Sequence, residues 1–185
     1  CESVAAANGS RDRRFRIEHV QHIRPASIPR FARQDVIASV QPYHAIDDGR
    51  WAINRIGPDR LRGTYAFRSL IDSGARVALG SDWPVAPLDP LQGLAAALLR
   101  QTIDGRSPQG WMPEQRISML QALMGYTSGV AYAGFMDDRA GRLAPGYYAD
   151  LTILDTNLLT VDANRLPGVR VLQTFVSGKP RFSAG

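Results

Sequence analysis

Val77-Ala-Leu-Gly-Ser-Asp-Trp-Pro-Val85 is a short apolar run that ends in an acid and is broken by a proline. Side chains alternate along extended backbone, so Val77 and Leu79 point one way and Ala78, Gly80 and Asp82 the other. A carboxylate at that position stands at the strand's end above two small residues, an arrangement suited to a catalytic acid. An unpaired buried carboxylate is costly, so Asp82 has to find a cation, a metal or several donors.

Two upstream runs share this form. Phe15-Arg-Ile-Glu-His-Val20 alternates, with Phe15, Ile17 and His19 on one side and Arg16 and Glu18 on the other. Asp35-Val-Ile-Ala-Ser-Val-Gln-Pro42 is continuously apolar at its centre, the pattern of a strand covered on both faces. Pro42 ends that strand, and His44 follows in the loop. Pro25 to Arg33 reads as a short helix with Ser27 as N-cap, and Thr64 to Ser73 as another, burying Phe67, Leu70 and Ile71 and stopped by Gly74. Residues 47–62 read as a long loop with one helical turn between Trp51 and Ile56.

Downstream, Asp89-Pro-Leu-Gln92 has the form of a capping box and opens a helix running to about Thr102. Pro113 opens a further helix with Ile117, Leu120, Met124 and Thr127 on one face, and residues 129–135 extend it or form a second short one. Residues 1–12 read as a helix end with Asn8-Gly9-Ser10 as its stop. From Gly141 the helical period disappears. Residues 149–155 and 169–177 read as strands, the latter closed by Ser177-Gly-Lys179, so the tail is expected to be a small antiparallel β unit.

Strand and helix alternate through the first part, which argues for a parallel sheet or a β/α barrel of which three strands are present. In either architecture functional groups gather at the C-terminal strand ends, and His19, His44 and Asp82 all fall there. Imidazole and carboxylate together suit a divalent metal, zinc first among them, with His19 and Asp82 as ligands and His44 a weaker third. His22 reads as a loop residue near the rim. Trp83 either lines the pocket or seals the barrel rim.

Composition narrows the classes. Cys1 is the only cysteine among 185 residues, which excludes internal disulfides and a cysteine zinc site. Lys179 is the only lysine and lies in a turn, leaving no candidate for Schiff-base catalysis. The net charge of +5 comes from arginines spread along the chain, with no recognition motif for nucleic acid. No run approaches a membrane span and no signal segment is visible, so a soluble cytoplasmic protein is expected. Serine elbows, phosphate loops and dinucleotide fingerprints are missing.

Arg16-Ile-Glu-His-Val-Gln21, Ala38-Ser-Val-Gln-Pro-Tyr-His44, Tyr65-Ala-Phe-Arg-Ser-Leu70, Leu79-Gly-Ser-Asp-Trp-Pro-Val85 and Gly141-Arg-Leu-Ala-Pro-Gly146 with Ala149-Asp150 together resemble the amidohydrolase superfamily. The nearest branch is the amidohydrolase-3, or YtcJ-like, group that includes N-substituted formamide deformylases. The resemblance implies a metal-dependent (β/α)8 barrel with a small β-sandwich, hydrolysing amide-like C–N bonds other than peptide bonds. It implies that residues 1–140 are the C-terminal part of the barrel, strands six to eight with their helices, and that 141–185 are part of the sandwich. His19 then corresponds to the metal ligand of strand six. Asp82 corresponds to the ligand and proton acceptor of strand eight, and His44 to a substrate-pocket residue after strand seven.

The family's His-x-His pair, bridging lysine and further histidine have no counterpart among His19, His22, His44 and Lys179. The chain is therefore expected to be the C-terminal third of a longer hydrolase and to be inactive alone. Its expected partners are a small-molecule substrate and the missing N-terminal half, with exposed edges that leave room for a homo-oligomer. Neither nucleic acid nor membrane is expected. One or two metal ions are compatible with it. Two alternatives stay open: a hydrolase of the same class acting on an ester, a phosphotriester or an aminated ring, and a non-catalytic half-barrel serving binding or assembly.

Overall fold

A computed structural model describes residues 1–9 and 11–185; Ser10, assigned above to a helix stop, lies outside the described residues. After α1 (Glu2–Asn8), three strands form a parallel sheet: β1 (Arg16–Glu18), β2 (Ile37–Val40) and β3 (Val77–Leu79), in the order β1-β2-β3. Glu18 pairs with Ser39 and Val40 with Leu79, so the C-terminal ends of all three strands finish at one level. The crossover from β1 to β2 runs through a 3-10 turn (Pro25–Ser27) and α2 (Ile28–Arg33), in which Ser27 holds the N-cap position without a side-chain bond. The crossover from β2 to β3 holds α3 (Pro42–Asp48), α4 (Ala52–Ile56), a 3-10 segment (Pro58–Gly63) and α5 (Phe67–Asp72).

The two faces of the sheet differ. Ala38, Val40 and Leu79 join Phe31, Phe67, Leu70 and Leu94 in the main core, beneath α2, α5 and α6 (Pro90–Leu99). On the other face Ile37 and Ala78 pack against Ala133 and Tyr132. β2 is buried as its continuous apolar run requires. All three residues of β1 are exposed: Ile17, expected on a buried face, is 44% exposed.

Several boundaries differ from the sequence reading. α5 starts at Phe67 instead of Thr64, because Tyr65 adopts φ 47°, which a helix cannot contain. Asp89 caps α6 by accepting from the Leu91 N–H at 2.9 Å, but Gln92 bonds the Asp89 carboxylate and not its backbone. The true capping box lies at Ser118 and Gln121 and starts α7 (Met119–Met124). That restart shifts the buried face. Leu120 and Met124 are exposed, while Met119, Ala122 and Leu123 turn inward. A π-helical turn (Gly125–Gly129) and α8 (Val130–Ala133) follow. Glycine is required within that turn, since a Cβ on Gly129 would lie 2.3 Å from the Val77 carbonyl oxygen.

The tail forms a separate antiparallel sheet of β4 (Leu151–Leu154), β5 (Val171–Val176) and β6 (Lys179–Ser183). Ser177 (φ 50°) and Gly178 (φ 73°) make the two-residue hairpin turn between β5 and β6. Leu166 and Val169, in the connection before β5, are buried in the main core and fasten the tail to the α/β part. No helix of the described residues is long and apolar enough to cross a membrane.

Candidate metal centre

The three aligned strand ends place His19, His44 and Asp82 side by side. Each offers one donor atom, and these atoms all lie within 4.8 Å of one another. His19 follows the last residue of β1. It and Val20 adopt φ 68° and 46°, so the chain turns sharply there instead of continuing as the expected strand. Val20 is buried, which anchors the turn and leaves the His19 side chain about half exposed.

His44 lies in the first turn of α3, not in a loop as its sequence suggested. Pro42 at the first helical position starts that helix where it ends the strand, since its fixed φ and missing N–H suit both. The His44 side chain is buried, 9% exposed. The His19 and His44 rings stack at 5.8 Å with 13° between their planes.

Asp82 lies beyond β3, which ends at Leu79. The Gly80 N–H still donates to Val40 at 3.1 Å, but Asp82 itself adopts φ 59° and accepts from the Val85 N–H at 2.8 Å. The carboxylate is therefore aimed by a tight turn and not by strand alternation. Left-handed backbone at a non-glycine residue carries strain, and here two of the three clustered residues have it. Asp82 Oδ2 lies 3.9 Å from His19 Nε2, too far for a hydrogen bond. Trp83, next in sequence, is 64% exposed and so seals no rim among the described residues. His22 points elsewhere, its Nδ1 3.1 Å from Thr64 Oγ1.

Two imidazole nitrogens here, His19 Nδ1 and His44 Nε2, are buried without a hydrogen-bond partner among the described residues. Burial lowers the pKa of His44, opposed by the nearby Asp82 carboxylate and reinforced by His19, which favours its neutral imidazole. Neutral imidazole, carboxylate and unsatisfied nitrogen together fit a divalent cation. Two residues past His19 and one helical turn past His44, Gln21 and Asp48 are joined by hydrogen bonds to each other and to the fully buried Tyr65, a trio to which the sequence assigned no role.

The amidohydrolase family model matches residues 1–182. The chain belongs to the amidohydrolase family. It is 45% identical over 182 residues to protein LONG AFTER FAR-RED 3 of Arabidopsis thaliana, covering 98% of this chain and 31% of that protein. It is 31% identical over 172 residues to the putative amidohydrolase YtcJ of Bacillus subtilis (strain 168), covering 93% and 32% respectively. Among solved structures it is similar to an uncharacterized metal-dependent hydrolase from Pyrococcus horikoshii OT3, with TM-score 0.75 and 30% identity, covering 88% of this chain and 32% of that one. This amidohydrolase chain spans about a third of the length of the curated relatives it matches.

Proposed function

We propose that this chain supplies part of the active site of a metal-dependent hydrolase that cleaves amide-like C–N bonds other than peptide bonds. The observation that carries the reading is the convergence of His19, His44 and Asp82 donor atoms within 4.8 Å at three adjacent strand ends. Within this reading residues 1–140 are strands six to eight of a (β/α)8 barrel with their helices, and residues 141–185 are part of a small β-sandwich. Support comes from the parallel order β1-β2-β3 and the separate antiparallel tail. The remaining ligands come from the rest of a longer cytoplasmic protein, so this chain alone is inactive.

His19 and Asp82 are the proposed ligands, with zinc the preferred ion and one or two ions compatible. A divalent cation there supplies Lewis acidity, polarising a substrate carbonyl and lowering the pKa of water. Asp82 accepts the proton of the attacking water and passes it to the departing amine. His44, neutral and buried, orients the substrate by hydrogen bonding, while the exposed Trp83 ring offers it an apolar wall.

The test uses the natural full-length protein, stripped of metal by chelation and reloaded with zinc. N-substituted formamides and other small amides are expected to be hydrolysed in preference to esters, phosphotriesters and aminated rings, and Asp82→Asn is expected to lower kcat by at least about a hundredfold. Retained metal and activity in Asp82→Asn would contradict the mechanism. Zinc-independent turnover would contradict the metal reading.

A further inference from the structure

Neither clustered imidazole receives a side-chain hydrogen bond from the described residues, so its position is set by the backbone that carries it. Those backbones are two separate pieces, the turn after β1 for His19 and the first turn of α3 for His44. Two residues past His19 stands Gln21. Asp48 lies four residues past His44, one turn along α3 and on the same helical face.

Tyr65 joins the two pieces. Its hydroxyl donates to Asp48 Oδ2 at 2.5 Å and accepts from Gln21 Nε2 at 2.5 Å, while Gln21 Nε2 also donates to Asp48 Oδ2 at 2.8 Å. The Tyr65 N–H donates to the Gln21 carbonyl at 2.8 Å, so ring and backbone grip the same segment. The side chain is fully buried, with edge contacts to His22, Phe67 and Trp111, and its carbonyl accepts from the buried Arg100 at 3.3 Å. Its φ of 47° is the conformation that cuts α5 short and turns the ring inward. A buried hydroxyl held by two hydrogen bonds to partners that also bond each other has little freedom, and its geometry is shared by the segments bearing His19 and His44.

We propose that Tyr65 is a positioning residue for this site: through Gln21 and Asp48 it sets the separation of the His19 and His44 imidazoles. The inference rests on the reading of His19 and Asp82 as metal ligands, and its test is built to fail separately from that reading. Burial and the bond to Asp48 raise the pKa of the Tyr65 hydroxyl well above its ordinary value, so the phenol keeps its proton at neutral pH.

The experiment compares wild type, Tyr65→Phe and Asp48→Asn in the natural full-length protein. Tyr65→Phe keeps the ring and removes only the hydroxyl. Zinc affinity, measured by chelator competition, is expected to fall about tenfold in each variant, the usual cost of losing support behind a metal ligand. The double variant is expected to fall no further than either single, because all three atoms belong to one network. Turnover is expected to show the loss in kcat with KM little changed. In the metal-free protein the imidazole NMR signals of His19 and His44 are expected to move in both variants while the far-ultraviolet circular dichroism stays that of wild type.

Wild-type zinc affinity together with unmoved imidazole signals in Tyr65→Phe overturns the proposal. If wild type binds no zinc, the metal reading fails, and the imidazole signals alone decide the positioning role. If Tyr65→Phe does not fold, Asp48→Asn carries the same tests, and additive losses in the double variant count against a shared bridge.

Discussion

Gly63→Ala tests whether the segment carrying His19 is held as tightly as the geometry requires. Gly63 is buried where residues 63–65 run antiparallel beside residues 21–23. There Ile23 N–H donates to the Gly63 carbonyl at 3.0 Å, Tyr65 N–H donates to Gln21 at 2.8 Å, and His22 forms a bridge with Thr64. A Cβ on residue 63 would lie 1.7 Å from the Ile23 carbonyl oxygen and 2.8 Å from its carbon. Both neighbours are backbone, so no rotamer change relieves the clash, and one segment must retreat by roughly 2 Å to reach ordinary contact. That retreat breaks two backbone hydrogen bonds, about 1 kcal/mol each. Overpacking adds about 1–3 kcal/mol, so the total loss is about 3–5 kcal/mol. In urea unfolding of the natural full-length protein, with a slope of about 2 kcal/mol per molar, the midpoint falls by roughly 1.5–2.5 M. Gly168→Ala is the control, because a Cβ there meets nothing within 4 Å and its φ is not left-handed. A Gly63→Ala midpoint equal to that of the control would refute the close approach.

Two further perturbations probe other supports. Arg100 is fully buried with no carboxylate partner among the described residues. It bonds the carbonyls of Trp111 and Tyr65 and lies over the Phe67 and Trp111 rings, and burial lowers its pKa to about 10. Arg100→Lys loses the planar fork and the stacking, so thermal denaturation is expected to show a loss of about 1–3 kcal/mol. Asp155 accepts from the Arg170 backbone and side chain at 3.1 and 3.0 Å, which holds its carboxyl below the usual carboxylate range. A depressed folded pKa contributes stability that is present above the unfolded value near 3.9 and is lost as pH falls through the folded one. Asp155→Asn is therefore expected to flatten the stability–pH profile of the β4–β5 sheet below about pH 4, read from tyrosine and amide NMR signals during acid titration. An unchanged slope would contradict the assignment.

The parts of the fold legible in the sequence were those where one residue type leaves one option. The run from Val36 to Val40 could only be a covered strand, and it is buried on both faces. Ser177-Gly178 could only be a tight turn, and both residues have positive φ. Legibility failed where tertiary packing decides. Leu120 and Met124 repeat at helical spacing yet are exposed, because the Ser118 cap sets the phase of α7. The polar stretch after His44 carries no amphipathic period: the helical turn read between Trp51 and Ile56 is α4, but α3 and the 3-10 segment fall where the sequence read as loop.

The candidate site divides in the same way. His19, His44 and Asp82 were visible as strand-end residues, and their convergence follows from the parallel register of β1, β2 and β3. Their local geometry was not visible. Two of the three stand in left-handed turns that no alternation pattern encodes, and the third stands on a helix started by Pro42. The hydrogen-bonded trio was hidden because Gln21, Asp48 and Tyr65 are far apart in sequence and become neighbours only once β1, α3 and the segment before α5 are in place.

Zinc stoichiometry of the natural full-length protein, compared among wild type, His19→Ala and Asp82→Ala, tests the central claim most directly. The account predicts bound zinc in wild type, with at least about a tenfold loss of affinity in each variant while the fold is retained. Zinc bound equally by all three proteins would contradict the assignment of the centre to His19 and Asp82.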